Sequence, residues 1–328
     1  MLKNAILCSK AGNMARPNPD QVKTVTTIGA GPIGAGWAAH FLARGYDVTA
    51  YIHDPSEEDV FRKILDTGWV SLEGLGLAEG ASRDRLTLTS DLAGAVEHTE
   101  FVQESAPEIL ELKQALYAQL SDLVPQDVVI SSSTSGLTMT EIQANCPTAA
   151  RTVVGHPFNP PYLLPLVEIV GGDHSSPEAV SWAAAFYKAA GKAPLVMNKE
   201  IPGFVATRLQ EALWREALHM VASGEATPEQ IDTALINGPA PRMALQGQCM
   251  AFHVACGEGG MATNLDQFGP ALKLPWTRLE APELTTELRN RMVDGCNEMA
   301  GDRHFEDMAA ARDRGIVAIL NAIKEAGT

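Results

Sequence analysis

The sequence predicts an α/β protein in which a Rossmann-type, doubly wound sheet is followed by an all-helical domain. A short β-branched run over Val22–Ile28 leads directly into a glycine cluster, and further strand-like runs then alternate with helical stretches. After Ile201 the pattern is helical, without clear strands. Strands that alternate with helices favour a mainly parallel sheet. We therefore expect a cofactor-binding sheet domain over residues 22–200 and a helical substrate and dimerisation domain over 201–328.

The individual elements follow from local patterns. Trp37–Arg44 predicts the first helix, with Gly45 as its C-terminal cap, and Ser56–Leu75 predicts the second. Further strands are expected at Tyr46–Ile52, Arg85–Thr89, Phe101–Gln103, Val128–Ser131, Thr152–Gly155, Leu166–Val170 and Ala193–Met197. In the second domain, Phe204–Ser223 predicts a long helix and Thr227–Leu235 a capped one.

Composition limits the class of partner. The chain has 328 residues, is 45% hydrophobic and carries a formal net charge of −15. An acidic surface repels phosphate backbones, so we expect no nucleic acid partner. No apolar run approaches the roughly 20 residues that span a bilayer, so no membrane partner is expected. The cysteines are scattered without a close CxxC pair, which indicates reduced thiols in the cytoplasm and argues against a metal site.

Residues 1–21 form a predicted N-terminal tail. The first part carries Lys3, Lys10 and Arg16 without an acidic residue, and the apolar patch Ala5–Cys8 is too short for a secretory signal. We expect a disordered tail, with a weak transit peptide as the alternative.

The glycine cluster has the spacing G-x-G-x-x-G. Gly29 permits a tight turn after the strand, Gly31 lets the backbone approach a pyrophosphate, and Gly34 allows the new helix to pack closely. The phosphate then lies at the positive end of that helix. We expect this loop to bind a dinucleotide through Gly29, Ala30, Gly31, Pro32, Ile33 and Gly34.

The cofactor is predicted to be NAD. An acid near the end of the second strand holds the ribose 2′-hydroxyl in such folds, and Asp54 lies 20 residues after Gly34. The next residues, Pro55–Glu58, offer no Arg or Lys for a 2′-phosphate, which favours NAD over NADP. The alternative is that Asp54 only begins a turn before Pro55.

His156 and Glu168 lie on consecutive predicted strands. Pro157 and Asn159 place the histidine at the end of its strand, where α/β sheets bind ligands. Glu168 is flanked by apolar residues and therefore needs a partner, for which His156 is the natural candidate. Histidine is suited to take a hydroxyl proton while NAD takes the hydride, and the glutamate would fix its tautomer. The pair predicts the oxidation of an alcohol.

Together these segments resemble the L-3-hydroxyacyl-CoA dehydrogenase superfamily over nearly all of the chain after residue 22. The resemblance rests on the glycine loop, Phe101–Glu108, Ser131–Leu137, Val153–Pro161, Leu166–Gly172 and Ile201–Leu209. It implies oxidation at carbon 3 of a small acid or acyl substrate. It also implies that His156 is the general base and that Glu168 orients it.

The same resemblance implies further roles. Ser135 maps onto a serine that hydrogen-bonds the substrate oxygen, and Asn159 onto the asparagine near the nicotinamide. Glu108 and Lys113 map near the cofactor, and the alternative for them is a solvated helix start whose i,i+5 spacing is too wide to matter. Thr207 stands where hydroxyacyl-CoA dehydrogenases carry Asn, so this predicted substrate contact differs.

The segment Pro55–Arg85 argues against a CoA substrate. Acyl-CoA members of the superfamily insert a long, lysine-rich helical hairpin here, whereas this segment is compact and has four basic residues against seven acidic ones. An acidic segment is a poor site for the CoA 3′-phosphate. We therefore expect a small 3-hydroxy acid as the substrate.

Three later segments resemble L-carnitine dehydrogenases, namely Gln210–His219, Phe268–Thr277 and Ala281–Thr285. Carnitine carries a quaternary ammonium group, which aromatic faces bind well. Trp214, Phe252 and Trp276 are candidates for that contact, although aromatic residues at helical spacing also fit a core. Arg242, in a predicted Gly238–Gly247 loop, is the candidate partner of the substrate carboxylate.

Other functions stay open. The proline-rich segment Pro239–Met243 leaves room for another small hydroxy acid such as L-gulonate, and L-3-hydroxyacyl-CoA is a further alternative. A non-catalytic, crystallin-like NAD-binding protein is a remote alternative, because a structural protein has no need of a poised base.

The superfamily implies a homodimer formed by the helical domain. Met250–Cys256 would suit that interface, although burial within one subunit explains its apolar character equally well.

Overall fold

A computed structural model describes residues 16–256, 258, 260–270, 274, 277, 283 and 285–326. The chain divides into two compact units between Pro202 and Gly203. The first unit contains the sheet and the second is helical, which confirms the predicted fold class. The predicted division after residue 200 lies two residues earlier. Residues 1–15 of the predicted tail and the candidate Trp276 lie outside the described residues.

One sheet of eight strands organises the described part of the first unit. The strands are β1 (Thr24–Ile28), β2 (Asp47–Tyr51), β3 (Leu86–Thr89), β4 (Phe101–Glu104), β5 (Val129–Ser132), β6 (Thr152–Pro157), β7 (Leu166–Val170) and β8 (Ala193–Val196). Their order is β3-β2-β1-β4-β5-β6-β7-β8, and every neighbouring pair is parallel except the antiparallel pair β6–β7. The first six follow the order of a dinucleotide-binding fold, whose topological switch point lies between β1 and β4.

Helices connect the strands and form the second unit. Those of the first unit are α1 (Pro32–Ala43), α2 (Glu58–Leu75), α3 (Leu92–Val96), α4 (Leu110–Leu123), α5 (Met139–Ile142) and α6 (Pro177–Ala189). Those of the second are α7 (Ala206–Ala222), α8 (Pro228–Asn237), α9 (Pro239–Ala255), α10 (Gly260–Phe268), α11 (Thr286–Ala300) and α12 (Phe305–Ala326).

Helix α1 begins five residues earlier than the predicted Trp37. Pro32 occupies its first turn, where the missing amide costs no hydrogen bond, and every residue from Gly34 to Ala43 is buried. Glycine has a low helix propensity, but here close packing overrides it. A Cβ atom on Gly34 would stand 2.1 Å from the carbonyl oxygen of Gly29. The small side chains therefore let α1 lie directly against the end of β1.

The second unit confirms one predicted cap and corrects one predicted loop. The Thr227 side chain accepts the amide of Gln230 and the Gln230 side chain accepts the amide of Thr227, which completes the capping box of α8. The predicted Gly238–Gly247 loop is wrong, because Pro239 begins helix α9. Proline is tolerated in a first helical turn, so the prolines do not prevent the helix. Gly247 then interrupts α9 with a φ of +67°.

The end of the predicted N-terminal tail is held against the sheet unit. The Arg16 guanidinium donates to the carbonyl of Asp127 at 2.6 Å and lies 5.7 Å from the centroid of the Trp182 ring. The Trp182 indole donates to the carbonyl of Pro17 at 2.8 Å. The prediction of disorder is therefore wrong for residues 16–21, because cation–π and hydrogen-bond contacts fix this segment.

Lys192 is a buried lysine between α6 and β8. Its ammonium group donates to the carbonyls of Pro161 and Leu164 and lies 4.9 Å from the centroid of the Trp37 ring. Burial, and then the nearby charge of Arg44, lowers the pKa of Lys192 from 10.5 to about 7. The lysine thus ties the connection between β6 and β7 to the helical layer of α1.

We expect Lys192→Met to change how stability depends on pH. Because the folded-state pKa is lowered, the unfolded chain binds a proton that the folded chain does not between about pH 7 and the ordinary value of 10.5. The unfolding free energy contributed by this group therefore rises with pH across that window. In thermal unfolding, the Tm of the wild type minus the Tm of Lys192→Met should therefore increase from about pH 7 to pH 10. Lys188→Met, an exposed change near the end of α6, should follow the wild type. Parallel Tm curves for wild type and Lys192→Met would contradict this assignment.

Candidate active site

The glycine loop joins β1 to α1 at the carboxyl edge of the sheet. Gly29 has a φ of +113°, which favours glycine, and its amide donates to the carbonyl of Tyr51 at 3.0 Å. A Cβ atom on Gly29 would stand 2.5 Å from the backbone oxygen of Ser105. A Cβ atom on Gly31 would meet nothing within 4 Å. The loop is therefore packed against the protein at Gly29 and open beside Gly31.

Asp54 follows β2 at the same edge and is exposed. Its carboxylate accepts the Ser56 amide at 2.9 Å, and the Glu57 side chain accepts the Asp54 amide at 3.2 Å. These bonds cap a short 3₁₀ helix over Pro55–Glu57, so the predicted turn does form. The hydrogen bonds from Ser56 lower the pKa of Asp54, which favours its ionised form. Capping and the predicted ribose contact are compatible, because a carboxylate accepts several hydrogen bonds.

A buried ion pair lies at the end of β4. The ammonium of Lys113 is 2.7 Å from Oε1 of Glu104, and the two side chains are 1% and 0% exposed. Lys113 also donates to the carbonyl of Ala106 at 3.1 Å, and its ammonium is 3.6 Å from Oε2 of Glu108. The solvated alternative is therefore wrong for Lys113, and the i,i+5 spacing is not too wide for an ion pair, although Glu108 itself is 40% exposed. Packing of α4 against the sheet brings their charged groups within ion-pair distance.

Glu108 binds the loop that follows β5. Its Oε1 accepts the Thr134 hydroxyl at 2.6 Å and the amides of Ser135 and Gly136 at 3.0 and 2.9 Å. Partial burial raises the pKa of Glu108. The hydrogen bonds of this loop and the charge of Lys113 outweigh burial and lower the pKa overall. An ionised Glu108 thus fixes the backbone that carries Ser135.

His156 and Glu168 form the predicted pair. They face each other in the register of the antiparallel pair β6–β7, and Nδ1 of His156 is 2.9 Å from Oε2 of Glu168. The histidine side chain is 8% exposed and the glutamate is fully buried. A carboxylate only accepts hydrogen bonds, so Nδ1 carries the proton and Nε2 is the basic nitrogen of the ring. This geometry, in which a buried carboxylate orients a histidine, suits proton transfer.

Ser135 and Asn159 belong to loops at the same edge. The parallel pair β5–β6 brings the chain after Ser132 beside the end of β6, which carries His156. Both Ser135 and Asn159 are exposed. The sheet topology therefore brings a predicted substrate hydroxyl contact and a predicted nicotinamide contact to the edge of the sheet that carries His156.

The four described candidates from the second unit lie on its helices. Thr207 is half-buried in the first turn of α7, and Trp214 lies two turns further along, 46% exposed. Arg242 is exposed in the first turns of α9 rather than in a loop. Phe252 is 40% exposed on α9, so the core explanation is wrong for Trp214 and Phe252. Both aromatic residues present surface that a ligand or another chain can cover.

Sequence reasoning missed Glu104, although a signal for it was present. Glu104 ends the strand-like run Phe101–Glu104, as Glu168 lies within an apolar strand. The rule that a buried carboxylate needs a partner applies equally to both. The sequence pattern relates Lys113, nine residues later, to Glu108 by its i,i+5 spacing and gives no direct sign of its pairing with Glu104.

The loop geometry fits a dinucleotide. Space beside Gly31 gives a pyrophosphate access to the backbone at the start of α1, and the positive end of that helix favours an anion. Asp54 supplies an ionised acceptor at the end of the neighbouring strand. A buried histidine paired with a carboxylate lies further along the same edge. Together these features define a nicotinamide-dependent dehydrogenase of the Rossmann type.

Comparison with known families agrees. Residues 24–201 match the NAD binding domain of 3-hydroxyacyl-CoA dehydrogenase, and residues 203–293 match the C-terminal domain of the same enzyme. The chain therefore belongs to the 3-hydroxyacyl-CoA dehydrogenase family. It is an NAD-dependent oxidoreductase that acts on a CH–OH group.

Curated relatives in this family include L-carnitine dehydrogenases. That of Streptomyces coelicolor is 56% identical over 94% of this chain and 98% of its own length. That of Pseudomonas putida is 47% identical over 93% of this chain and 95% of its own length. Among solved structures, 5-formyl-3-hydroxy-2-methylpyridine 4-carboxylic acid 5-dehydrogenase, an NAD+-dependent dismutase, is similar. It has a TM-score of 0.80 and 27% identity, and the match covers 92% of this chain and 99% of that one.

The described residues contain neither a membrane-spanning helix nor a metal-binding cluster. Within that part of the chain, no helix is long and apolar enough to cross a membrane. Over the same residues, no group of three or more His, Cys, Asp or Glu side chains is arranged to hold a metal ion.

We expect Gly31→Ala and Gly34→Ala to fail in different ways. A methyl group at Gly31 enters open space, so Gly31→Ala should keep the wild-type Tm but weaken NADH binding by obstructing the pyrophosphate. A methyl group at Gly34 would collide with the Gly29 carbonyl at 2.1 Å, so Gly34→Ala should lower the Tm. Thermal unfolding and NADH fluorescence titration measure the two effects. Normal NADH affinity in Gly31→Ala would exclude the predicted phosphate contact.

Proposed function

We propose that this protein oxidises the 3-hydroxyl of L-carnitine to 3-dehydrocarnitine, with His156 as general base and Glu168 orienting it. The observation that carries the choice of substrate is the 56% identity to an L-carnitine dehydrogenase over 94% of this chain. The buried His156–Glu168 pair, 2.9 Å apart, supports the proposed mechanism.

The chain's own residues would act in a defined order. Ser135 donates a hydrogen bond to the substrate oxygen and holds the hydroxyl toward His156. His156 takes the hydroxyl proton on Nε2, and Glu168 stabilises the imidazolium through the proton on Nδ1. NAD, when bound, accepts the hydride from carbon 3. The alcohol thus loses one hydride and one proton and becomes a ketone.

The remaining proposed contacts hold the cofactor. The glycine loop holds the pyrophosphate and Asp54 the ribose, while Glu108 and Lys113 act near the cofactor and Asn159 near the nicotinamide. The ionised state of Asp54 favours this role. A ribose 2′-hydroxyl can donate to a carboxylate, whereas a 2′-phosphate would be repelled by it.

Helix α2 and the residues after it disfavour a CoA ester. Arg62 pairs with Glu58 at 2.8 Å and Arg83 pairs with Asp66 at 2.8 Å. Arg85 pairs with Asp47 at 3.0 Å. A CoA phosphate bound here would have to compete with these carboxylates. This favours a small substrate over L-3-hydroxyacyl-CoA.

A substrate panel with a base-deficient variant tests this proposal. NADH formation should be seen with L-carnitine, and not with L-gulonate, L-3-hydroxybutyrate or 3-hydroxybutyryl-CoA. His156→Ala should lower kcat by about 10²–10⁴-fold, as expected for the loss of a general base. Glu168→Gln should also lower kcat, while NADH still binds. Turnover of the CoA ester instead, or equal rates for wild type and His156→Ala, would overturn the proposal.

We further propose that Trp214 contacts the trimethylammonium group, Thr207 the substrate and Arg242 the substrate carboxylate. A cation–π contact contributes about 0.5–2 kcal/mol, so Trp214→Ala should raise the KM for L-carnitine by about 2- to 30-fold. Trp214 is 46% exposed, so its loss should leave the Tm nearly unchanged. Phe268→Ala, an exposed aromatic change in the same unit, is the matched control. Equal KM values for Trp214→Ala and wild type would remove Trp214 from the substrate site.

We also propose that the protein acts as a homodimer in the cytoplasm. Met250, Phe252 and Val254 on α9 are 51%, 40% and 52% exposed, so burial within one subunit does not explain them. A second copy would cover this apolar surface. The described cysteines Cys146, Cys249 and Cys256 are free thiols, which suits a reducing compartment.

A further inference from the structure

Glu104 is a buried carboxylate to which the proposed mechanism gives no task. It ends β4 at the carboxyl edge of the sheet and is fully buried. Its Oε1 accepts the ammonium of Lys113 at 2.7 Å and the amide of Ala106 at 2.6 Å. Its Oε2 accepts the hydroxyl of Ser132, at the end of β5, at 2.6 Å. One carboxylate therefore ties together two neighbouring strand ends and the loop after β4.

The contacts of Glu104 continue to the proposed substrate serine. The Ser132 hydroxyl also accepts the amide of Thr134 at 3.2 Å. By a second route, Lys113 lies between Glu104 and Glu108, and Glu108 accepts the amide of Ser135 at 3.0 Å. Both routes end in the loop after β5.

We propose that Glu104 is a positioning residue for the dehydrogenase site. Its charge fixes Lys113 and thereby lets Glu108 hold the Ser135 loop. Its hydrogen bond from the Ala106 amide holds the loop after β4. The inference rests on the proposed roles of Ser135, Glu108 and Lys113.

The negative charge of Glu104 carries the effect. Lys113 is 1% exposed and cannot replace a lost counter-charge with water. With glutamine at position 104, the remaining carboxylate near Lys113 is Glu108, now 3.6 Å away. The ammonium would move toward Glu108 and compete for the carboxylate that binds the Ser135 loop. A neutral isostere at this strand end should thus disturb the loop whose Ser135 amide is held by Glu108.

The test compares two glutamates at opposite ends of β4. Glu104→Gln should raise the Kd for NADH, measured by fluorescence titration well below the Tm, by at least about tenfold. Glu100→Gln is the matched control. Glu100 precedes β4, and its side chain accepts the amides of Lys23 at 2.6 Å and Thr24 at 3.0 Å. Glu100→Gln should bind NADH within about twofold of the wild type. An unchanged NADH Kd in Glu104→Gln, whatever its Tm, would overturn the inference.

A double-mutant cycle tests the route through Glu108. If Glu104 acts through that residue, Glu104→Gln should raise the NADH Kd much less in a Glu108→Gln background than alone. Equal effects in both backgrounds would refute this route.

If Glu104→Gln does not fold, Ser132→Ala removes one contact of Glu104 without neutralising it and should weaken NADH binding by about threefold. Wild-type affinity in Ser132→Ala would then overturn the inference.

These readouts separate the inference from the proposed substrate. NADH binding needs neither L-carnitine nor the base. Failure to oxidise L-carnitine would therefore overturn the proposed function while the comparison of Glu104→Gln with Glu100→Gln still decides the role of Glu104.

Discussion

A buried charge must be paired, and this requirement organises the carboxyl edge of the sheet. Glu104 and Glu168 are both fully buried on strands, and each has a nitrogen of a neighbouring side chain within 2.9 Å. Removing a carboxylate from water costs several kcal/mol unless such a partner is supplied. The partners Lys113 and His156 are therefore fixed in position as a condition of folding. A fixed histidine beside a carboxylate is also what proton transfer requires, so one constraint serves both folding and chemistry.

The parallel sheet explains why these pairs lie close together. Parallel strands end at one edge, so β1, β4, β5 and β6 deliver the glycine loop, Glu104, the Ser135 loop and His156 to the same side. Strand β7 reverses direction, and that reversal places Glu168 opposite His156. The register of this pair, the one antiparallel pair among the described strands, thus brings the two side chains together.

Much of this could be predicted from sequence, because the relevant signals are local. The predicted and observed bounds of the strand Leu166–Val170 are identical, since a short apolar run bounded by turn residues is typical of a buried strand. The start of α1 and the helical state of Pro239–Met243 could not be predicted in that way. In both segments glycine or proline signals a loop, but tertiary packing at Gly34 and the tolerance of a first turn for proline decide the outcome. The ion pair of Glu104 is likewise set by how α4 packs on the sheet.

Chemistry and substrate choice depend on different physical terms. The proposed base is buried and paired, so its burial and its 2.9 Å distance from Glu168 support the assignment. A quaternary ammonium needs only exposed aromatic faces and a negative field, which the exposed Trp214 and the net charge of −15 supply without any fixed partner. The arginines after β2 act in the opposite sense, because their pairing with Glu58, Asp66 and Asp47 leaves little attraction for a phosphate. The proposed preference for a small cation over a phosphorylated carrier thus rests on electrostatics spread over the surface, whereas the position of His156 follows from one buried contact.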